Sequence, residues 1–351
     1  MKKRTFFAIV IAIIFMIVGG IGTFITQKKL VNEREKNTIH KKIKSNKNKT
    51  LDIHFNTPTS VTLTRSDNQY IYMDKQGVDF RLDNNKQADW TFKEEKNTSS
   101  LTINNPTTNK ENPYPFAIFN INNYTDDAVY LRIPTHYETV TINGKNVNLS
   151  MHDFSMDNIK LNMENGSASL SGIRANQVSQ PRQDTDFSLD DSKISEELSV
   201  NTKLYDINVL NTTAKLMTLT TDMGDVFTAN TKGDLKITTV DGDISINHTT
   251  GKSVVASKHG DVLFHDNHID FDTELTTTNG NIDIETDESS ISDNKLDFET
   301  TLGDISIFNK NLSSNRKYKT NKGKISIKAT SKNSEIEVEE LDSDDTHYDY
   351  D

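Results

Sequence analysis

Leu219-Thr-Thr-Asp-Met-Gly-Asp-Val-Phe-Thr228, Ile237-Thr-Thr-Val-Asp-Gly-Asp-Ile-Ser-Ile246 and Val255-Ala-Ser-Lys-His-Gly-Asp-Val-Leu-Phe264 are three copies of one pattern, set 18 residues apart. Seven glycines share it: Gly166, Gly224, Gly242, Gly260, Gly280, Gly303 and Gly323. Five residues before each stands an apolar side chain: Leu161, Leu219, Ile237, Val255, Leu275, Phe298 and Tyr318. Three before stands a hydroxyl in six of the seven (Thr221, Thr239, Ser257, Thr277, Thr300 and Thr320), with Met163 the exception. Two and four after come pairs such as Val226 and Thr228, Ile244 and Ile246, Val262 and Phe264, Ile282 and Ile284. Both pairs have period two, so each points to one side of a β-strand. Between them lies a turn such as Val240-Asp-Gly-Asp243. There glycine is expected to supply a positive φ, and the aspartates to bond their own turn backbone. Each unit therefore reads strand–turn–strand, with steps of 18, 18, 20, 23 and 20 residues from Gly224 to Gly323.

Two all-β folds can use this unit. In a β-meander or sandwich each turn closes a hairpin. In a single-stranded, β-helix-like β-solenoid each unit is one coil, and like residues stack about 4.8 Å apart. The near-constant period and the repeated identity at each position favour the solenoid. Nine or ten coils would make a rod of about 45 Å. The solenoid is placed at residues 136–334, after an N-terminal β-strand region at 50–135. In that region 60–64, 69–73, 88–92, 100–103 and 129–133 read as strands between Asn and Pro clusters, and Trp90 as a core residue. The pattern lapses between Gly172 and Leu204, where the polar stretch 183–198 is expected to loop out of the stack. Residues 335–351 carry nine acids and no Lys or Arg, and read as an acidic disordered tail.

At the other end, residues 5–27, from Thr5 to Gln27, hold no charge. As a helix this run would span roughly 34 Å, enough for a hydrocarbon core of about 30 Å. It is longer than a cleavable signal and lacks a small-residue cleavage site, so it reads as an uncleaved transmembrane signal anchor contacting membrane lipid. Residues 1–4 are then a cytoplasmic N-terminus, and 28–49 a basic linker or stalk. The flanking charges argue for the opposite orientation. Three basic residues precede the run and eight fall within the twenty that follow it, which by the positive-inside rule places the C-terminal side in the cytoplasm. A cytoplasmic membrane-associated scaffold is therefore one alternative.

Composition removes several kinds of chemistry. There are no cysteines, so disulfides, zinc thiolates and thiol nucleophiles are excluded. Residues 50–351 carry 28 Lys/Arg against 49 Asp/Glu, which repels phosphate and speaks against a nucleic-acid partner. No phosphate loop, dinucleotide fingerprint or nucleophile elbow is present, so no cofactor and no catalytic residue is assigned. His259, His265 and His268 lie near Asp261 and Asp266 in sequence, but without helical ligand spacing. Gly224, Gly233, Gly242, Gly251 and Gly260 are nine apart, as in calcium-binding β-rolls, yet lack the double glycine and the G-x-D spacing. Nine reads better as half of an 18-residue coil. No metal site is assigned.

Tyr130-Leu-Arg-Ile-Pro134, then Val140-Thr-Ile-Asn-Gly144, then the Gly-Asp/Asn-Ile-x-Ile units resemble the bacterial putative-adhesin family of membrane-anchored β-strand-repeat envelope proteins, which includes LiaG-like proteins. The resemblance covers roughly 50–330 and is strongest over 130–328. It implies an extracytoplasmic domain held at the cell membrane by a single pass, with no catalytic residues. The expected work is adhesion or contact with envelope or membrane proteins or a cell-wall polymer, linked to envelope-stress signalling. The rival reading is an extracellular glycan-acting enzyme built on a β-helix.

Overall fold

Side chains that alternate along a strand can fill a narrow interior from two sides, and the repeats are used in this way. The structure is a computed structural model and describes residues 39–75, 89–104, 128–308, 310–312 and 316–341. Among the described residues the chain forms 26 strands of one continuous sheet. The N-terminal strands are β1 (Ile39–Lys44), β2 (Thr50–Phe55), β3 (Thr59–Ser66), β4 (Tyr70–Lys75), β5 (Asp89–Glu94), β6 (Thr98–Asn104) and β7 (Ala128–Pro134). Two long strands follow, β8 (Thr139–His152) and β9 (Ser155–Ser171), each crossing the stack twice. The middle holds β10 (Arg174–Gln183), β11 (Thr185–Asp190), β12 (Lys193–Thr202), β13 (Ile207–Leu210), β14 (Thr213–Thr220), β15 (Val226–Thr238) and β16 (Ile244–Thr250). Next come β17 (Ser253–Ala256), β18 (Val262–His265), β19 (Thr273–Thr277) and β20 (Ile282–Thr286). A short helix, α1 (Glu288–Ser292), leads to β21 (Lys295–Thr300), β22 (Ile305–Ile307), β23 (Lys310–Asn311), β24 (Lys317–Lys319), β25 (Ser326–Ser331) and β26 (Ile336–Glu340).

Stacking is parallel and in register. Leu219, Ile237, Val255 and Leu275 lie side by side in a first ladder. Val226, Ile244, Val262 and Ile282 do so in a second. Pairing across a full coil is the solenoid arrangement; meander neighbours would pair antiparallel through their turns. The inward residues of both ladders form one apolar cluster, with Ile237 and Ile246 fully buried. Antiparallel pairs are confined to the two ends, where β1, β4 and β5 flank one and β23 and β24 the other. Such flanks keep parallel edges from meeting another chain.

Both ends break sequence order. The coil β2–β3 stacks directly on β8, and β6–β7 lies outside it. At the far end β25 lies between β19 and β21, and β26 between β20 and β22. The last coil of the chain is thus the last but one of the stack. From β6–β7 to β21–β22 there are twelve levels, ten from β8 onward and two, β6–β7 and β2–β3, contributed by the N-terminal strand region. The loop expected at 183–198 is instead β11 and part of β12, which pair in parallel on both sides.

Other expectations need correcting. Gly242 and Gly260 do not have a positive φ. Glycine is required there because coils approach closely: a Cβ on Gly242 would lie 1.8 Å from the carbonyl oxygen of Gly224. Left-handed backbone occurs instead at the opposite corner, at Asn211 (φ 46°), Asn230 (φ 54°) and His248 (φ 51°), where residues with short polar side chains are the least strained after glycine. Gly233 and Gly251 follow that corner and stack on each other, so the nine-residue spacing is half a coil. Gly323 is not a coil turn, since Ile327 after it lies in the first ladder's strands, in register with Thr273 and Leu296. The equivalent turn residue of that coil is Ser334. β1 falls within the stretch read as a stalk, and β26 within the stretch read as a tail. Among the described residues no helix is long and apolar enough to cross a membrane; the expected span, 5–27, lies outside them, as do 342–351.

Candidate functional surface

Buried hydroxyls at the turns are occupied in holding coils together. Ser257 Oγ accepts the Gly260 N–H at 2.9 Å and donates to the Gly242 carbonyl at 3.2 Å. Thr277 repeats this with Gly280 and Gly260, Ser331 with Ser334 and Gly280, and Thr300 with Gly303 and Ser334. The aspartates after the glycines also act between coils, and not on their own turns as expected. Oδ1 of Asp225 accepts the Asp243 N–H at 2.8 Å, Asp243 that of Asp261 at 2.8 Å, and Asp261 that of Asn281 at 2.7 Å. Each carboxylate thereby satisfies a turn amide that no strand partner reaches.

The structure separates the three histidines that are neighbours in sequence. His259 sits on the turn ridge beside Asp241 and Asn279. His265 faces outward on β18, with Nδ1 2.7 Å from Glu285 and its ring 5.2 Å from that of His248. His268 lies on the opposite corner, with Nδ1 3.0 Å from Asp287 and Nε2 3.3 Å from Asp270. Asp261 is part of the turn ladder, and Asp266 is buried against the Thr249 N–H. Among the described residues no group of three or more His, Cys, Asp or Glu is arranged to hold a metal ion.

His268 also lies 3.2 Å from Ser290 Oγ, but through the same Nδ1 that meets Asp287. Ser290 is fully buried and its Oγ accepts the Ile269 N–H at 2.9 Å, so it is not open to a substrate. The arrangement is instead the N-cap of α1, where Asp287 accepts the Ser290 N–H at 2.7 Å. Burial opposes ionisation of Asp287, yet hydrogen bonds from Ser290, His268 and Ser289 outweigh it and hold its pKa down at about 2. The hydrogen bond to Asp287 raises the His268 pKa in turn. His152 lies between Ser150 on Nε2 and Ser171 on Nδ1, with no carboxylate on either nitrogen among the described residues.

The outward face of the second ladder changes character along the stack. At its N-terminal end β1, β4 and β7 present Lys42, Lys44, Tyr70, Tyr72, Tyr130 and Arg132. Lys42 Nζ stands 3.8 Å from the centre of the Tyr70 ring, and Arg132 Cζ 4.5 Å from that of Tyr72. Ser150, Ser169, Ser188 and Asn208 follow in the middle. At the C-terminal end β20 and β26 bring Asp283, Glu285, Glu337 and Glu339 together. Burial, then the carboxylates of Asp261, Glu337, Glu339 and Glu285, push the Asp283 pKa up to about 6. Sequence reading missed this asymmetry, because the tyrosine and lysine strands lie outside the repeats.

Residues 48–246 and 195–346 match a family model described as Toastrack DUF4097. No curated protein matches the chain. A solved structure of a putative cell adhesion protein from Clostridium sporogenes is 13% identical, covering 87% of this chain and 99% of that one, with a TM-score of 0.24. A putative adhesin from Bacteroides fragilis is 10% identical, with coverage of 86% and 96% and a TM-score of 0.34. Another from Parabacteroides distasonis is 8% identical, with coverage of 87% and 97% and a TM-score of 0.34. Such distant pairings decide nothing about function. The family match spans both ladders and nearly all the described coils, and on it the chain belongs to the Toastrack DUF4097 family.

Proposed function

We propose that the chain is a membrane-anchored envelope protein whose β-repeat domain works by surface contact, in adhesion or in binding an envelope protein or wall polymer. The observation that carries this reading is how the polar groups are employed. Turn hydroxyls and aspartates bond neighbouring coils, and Ser290, which meets His268, is buried at the cap of α1. What is left for function is a long outward face with graded chemistry. Repeats that stack in this way make extended binding surfaces.

The anchor rests on the uncharged run 5–27, and the outward orientation on the family resemblance. Protease added to intact cells tests both together. Digestion of the repeat domain without lysis is the expected result. Complete protection until lysis would move the domain to the cytoplasmic side and favour the scaffold reading.

A further inference from the structure

We propose that the outward face of β1, β4 and β7 docks on the anionic lipid headgroups of the membrane; this rests on the anchored reading above. Three cations, Lys42, Lys44 and Arg132, stand among three tyrosines, Tyr70, Tyr72 and Tyr130, on adjacent strands. Tyrosine suits the headgroup region, where an apolar ring and a polar hydroxyl are both satisfied. Lys and Arg near an anionic surface are attracted within a Debye length. The one acid in the patch, Asp74, is already engaged by His40 at 2.6 Å and Arg132 at 3.2 Å. The Lys42 and Arg132 contacts with tyrosine rings hold both cations over the patch.

Position and charge point the same way. β1 is the outermost strand of this ladder among the described residues, and eleven residues separate it from Gln27. Eleven residues reach at most about 40 Å, so the patch is held beside the bilayer. Residues 39–75 carry seven Lys/Arg against three Asp/Glu, in a chain of net charge −11. Asp283, Glu285, Glu337 and Glu339 lie at the other end of the same face, where an anionic membrane repels them. Lysines on an edge strand also discourage edge pairing. That role asks nothing of Tyr72 and Arg132, which lie on inner strands.

Because the chain has no cysteine, one introduced thiol reports one place. Thr62→Cys lies on β3 beside Tyr130. Ser245→Cys lies on the same face, six strand spacings or about 30 Å away. The full chain, labelled with bimane at either site, is placed in phosphatidylcholine vesicles with or without phosphatidylglycerol and a headgroup-spin-labelled quencher. Docking predicts phosphatidylglycerol-dependent quenching at position 62 and not at 245, abolished by high salt. Each cation neutralised in Lys42→Gln and Lys44→Gln should lower the docked population about fivefold. The salt titration needs no variant, so a folding defect cannot imitate it. Vesicle flotation with equal quenching in both lipids would overturn docking and leave the anchor standing. Failure to float with either vesicle would overturn the anchor and docking together. A label response to soluble polyphosphate alone would give the patch to a soluble polyanion and overturn lipid docking.

Discussion

Thr277 and Thr228 are both buried threonines at repeat positions, yet they do opposite things. Thr277 accepts the Gly280 N–H at 3.0 Å and donates to the Gly260 carbonyl at 3.1 Å. Thr228 stands between Val209 and Ile246, and its hydroxyl has no partner among the described residues. Thr277→Val should therefore destabilise by about 2 kcal/mol, by leaving a turn amide unmet, whereas Thr228→Val should be neutral or stabilising. Urea unfolding of the two variants reads the difference, and equal losses would refute the assignment. The hydroxyl three residues before the glycine was legible as a pattern. Its role was not, because its bond to the next coil spans 15 residues at Ser257, 17 at Thr277 and 34 at Thr300, and leaves no local signature. Asp283 offers a second test. Its folded pKa, raised to about 6, makes ionisation unfavourable in the folded state, so stability should fall as pH rises from about 4 to about 6. Asp283→Asn should remove that fall, gaining about 1 kcal/mol above pH 6 after allowance for solvent screening, and nothing below pH 4.

The insertion of β25 and β26 between earlier strands is written in charges. Lys328 on β25 meets Glu274 on β19 at 2.7 Å, and its register partner on the other side is Asp297 on β21. Asp297 in turn meets Lys319 on β24 at 3.0 Å. Had the coils stacked in sequence order, Glu274 would face Asp297 across adjacent strands, a repulsive cross-strand pair. The hydroxyl ladder agrees, because Ser331 donates to Gly280 and Thr300 to Ser334. Lys328→Glu should therefore cost about 1 kcal/mol or more, whereas Lys332→Glu on the exposed turn should stay within about 0.5 kcal/mol. Similar losses for the two would mean that charge does not favour this order. Spacing alone could not expose the insertion. Gly323 matched the pattern by residue type, and the true turn of that coil, at Ser334, lacks glycine. The coil type was thus readable from residues, but the coil order depended on pairs such as Glu274–Lys328, 54 positions apart in the chain.

At the scale of the whole molecule the decisive quantity is the register between coils. Gly242 and Gly260 are stacked equivalents, so excising residues 242–259 joins Asp241 to Gly260 and restores the same turn. Thr239 would replace Ser257 as acceptor of the Gly260 N–H. Val226 would meet Val262 where Ile244 had been, and Leu235 would meet Thr273 where Ser253 had been. Every inward position stays inward, and the stack shortens by one level, about 4.8 Å. Excising only 242–250 removes half a coil. It would place first-ladder residues such as Val255 in the second ladder, opposite partners that do not match, and leave the hydroxyl bonds without their turns. The 18-residue deletion should therefore fold cooperatively with a modestly lowered melting temperature, whereas the nine-residue deletion should unfold or aggregate. If contact along the outward face is the protein's work, the folded 18-residue deletion should also weaken attachment to its target surface in part and not abolish it. Circular dichroism melts and hydrogen exchange on the two deletions decide the structural claim. Equal stability of both would mean that the unit of the fold is not the 18-residue coil.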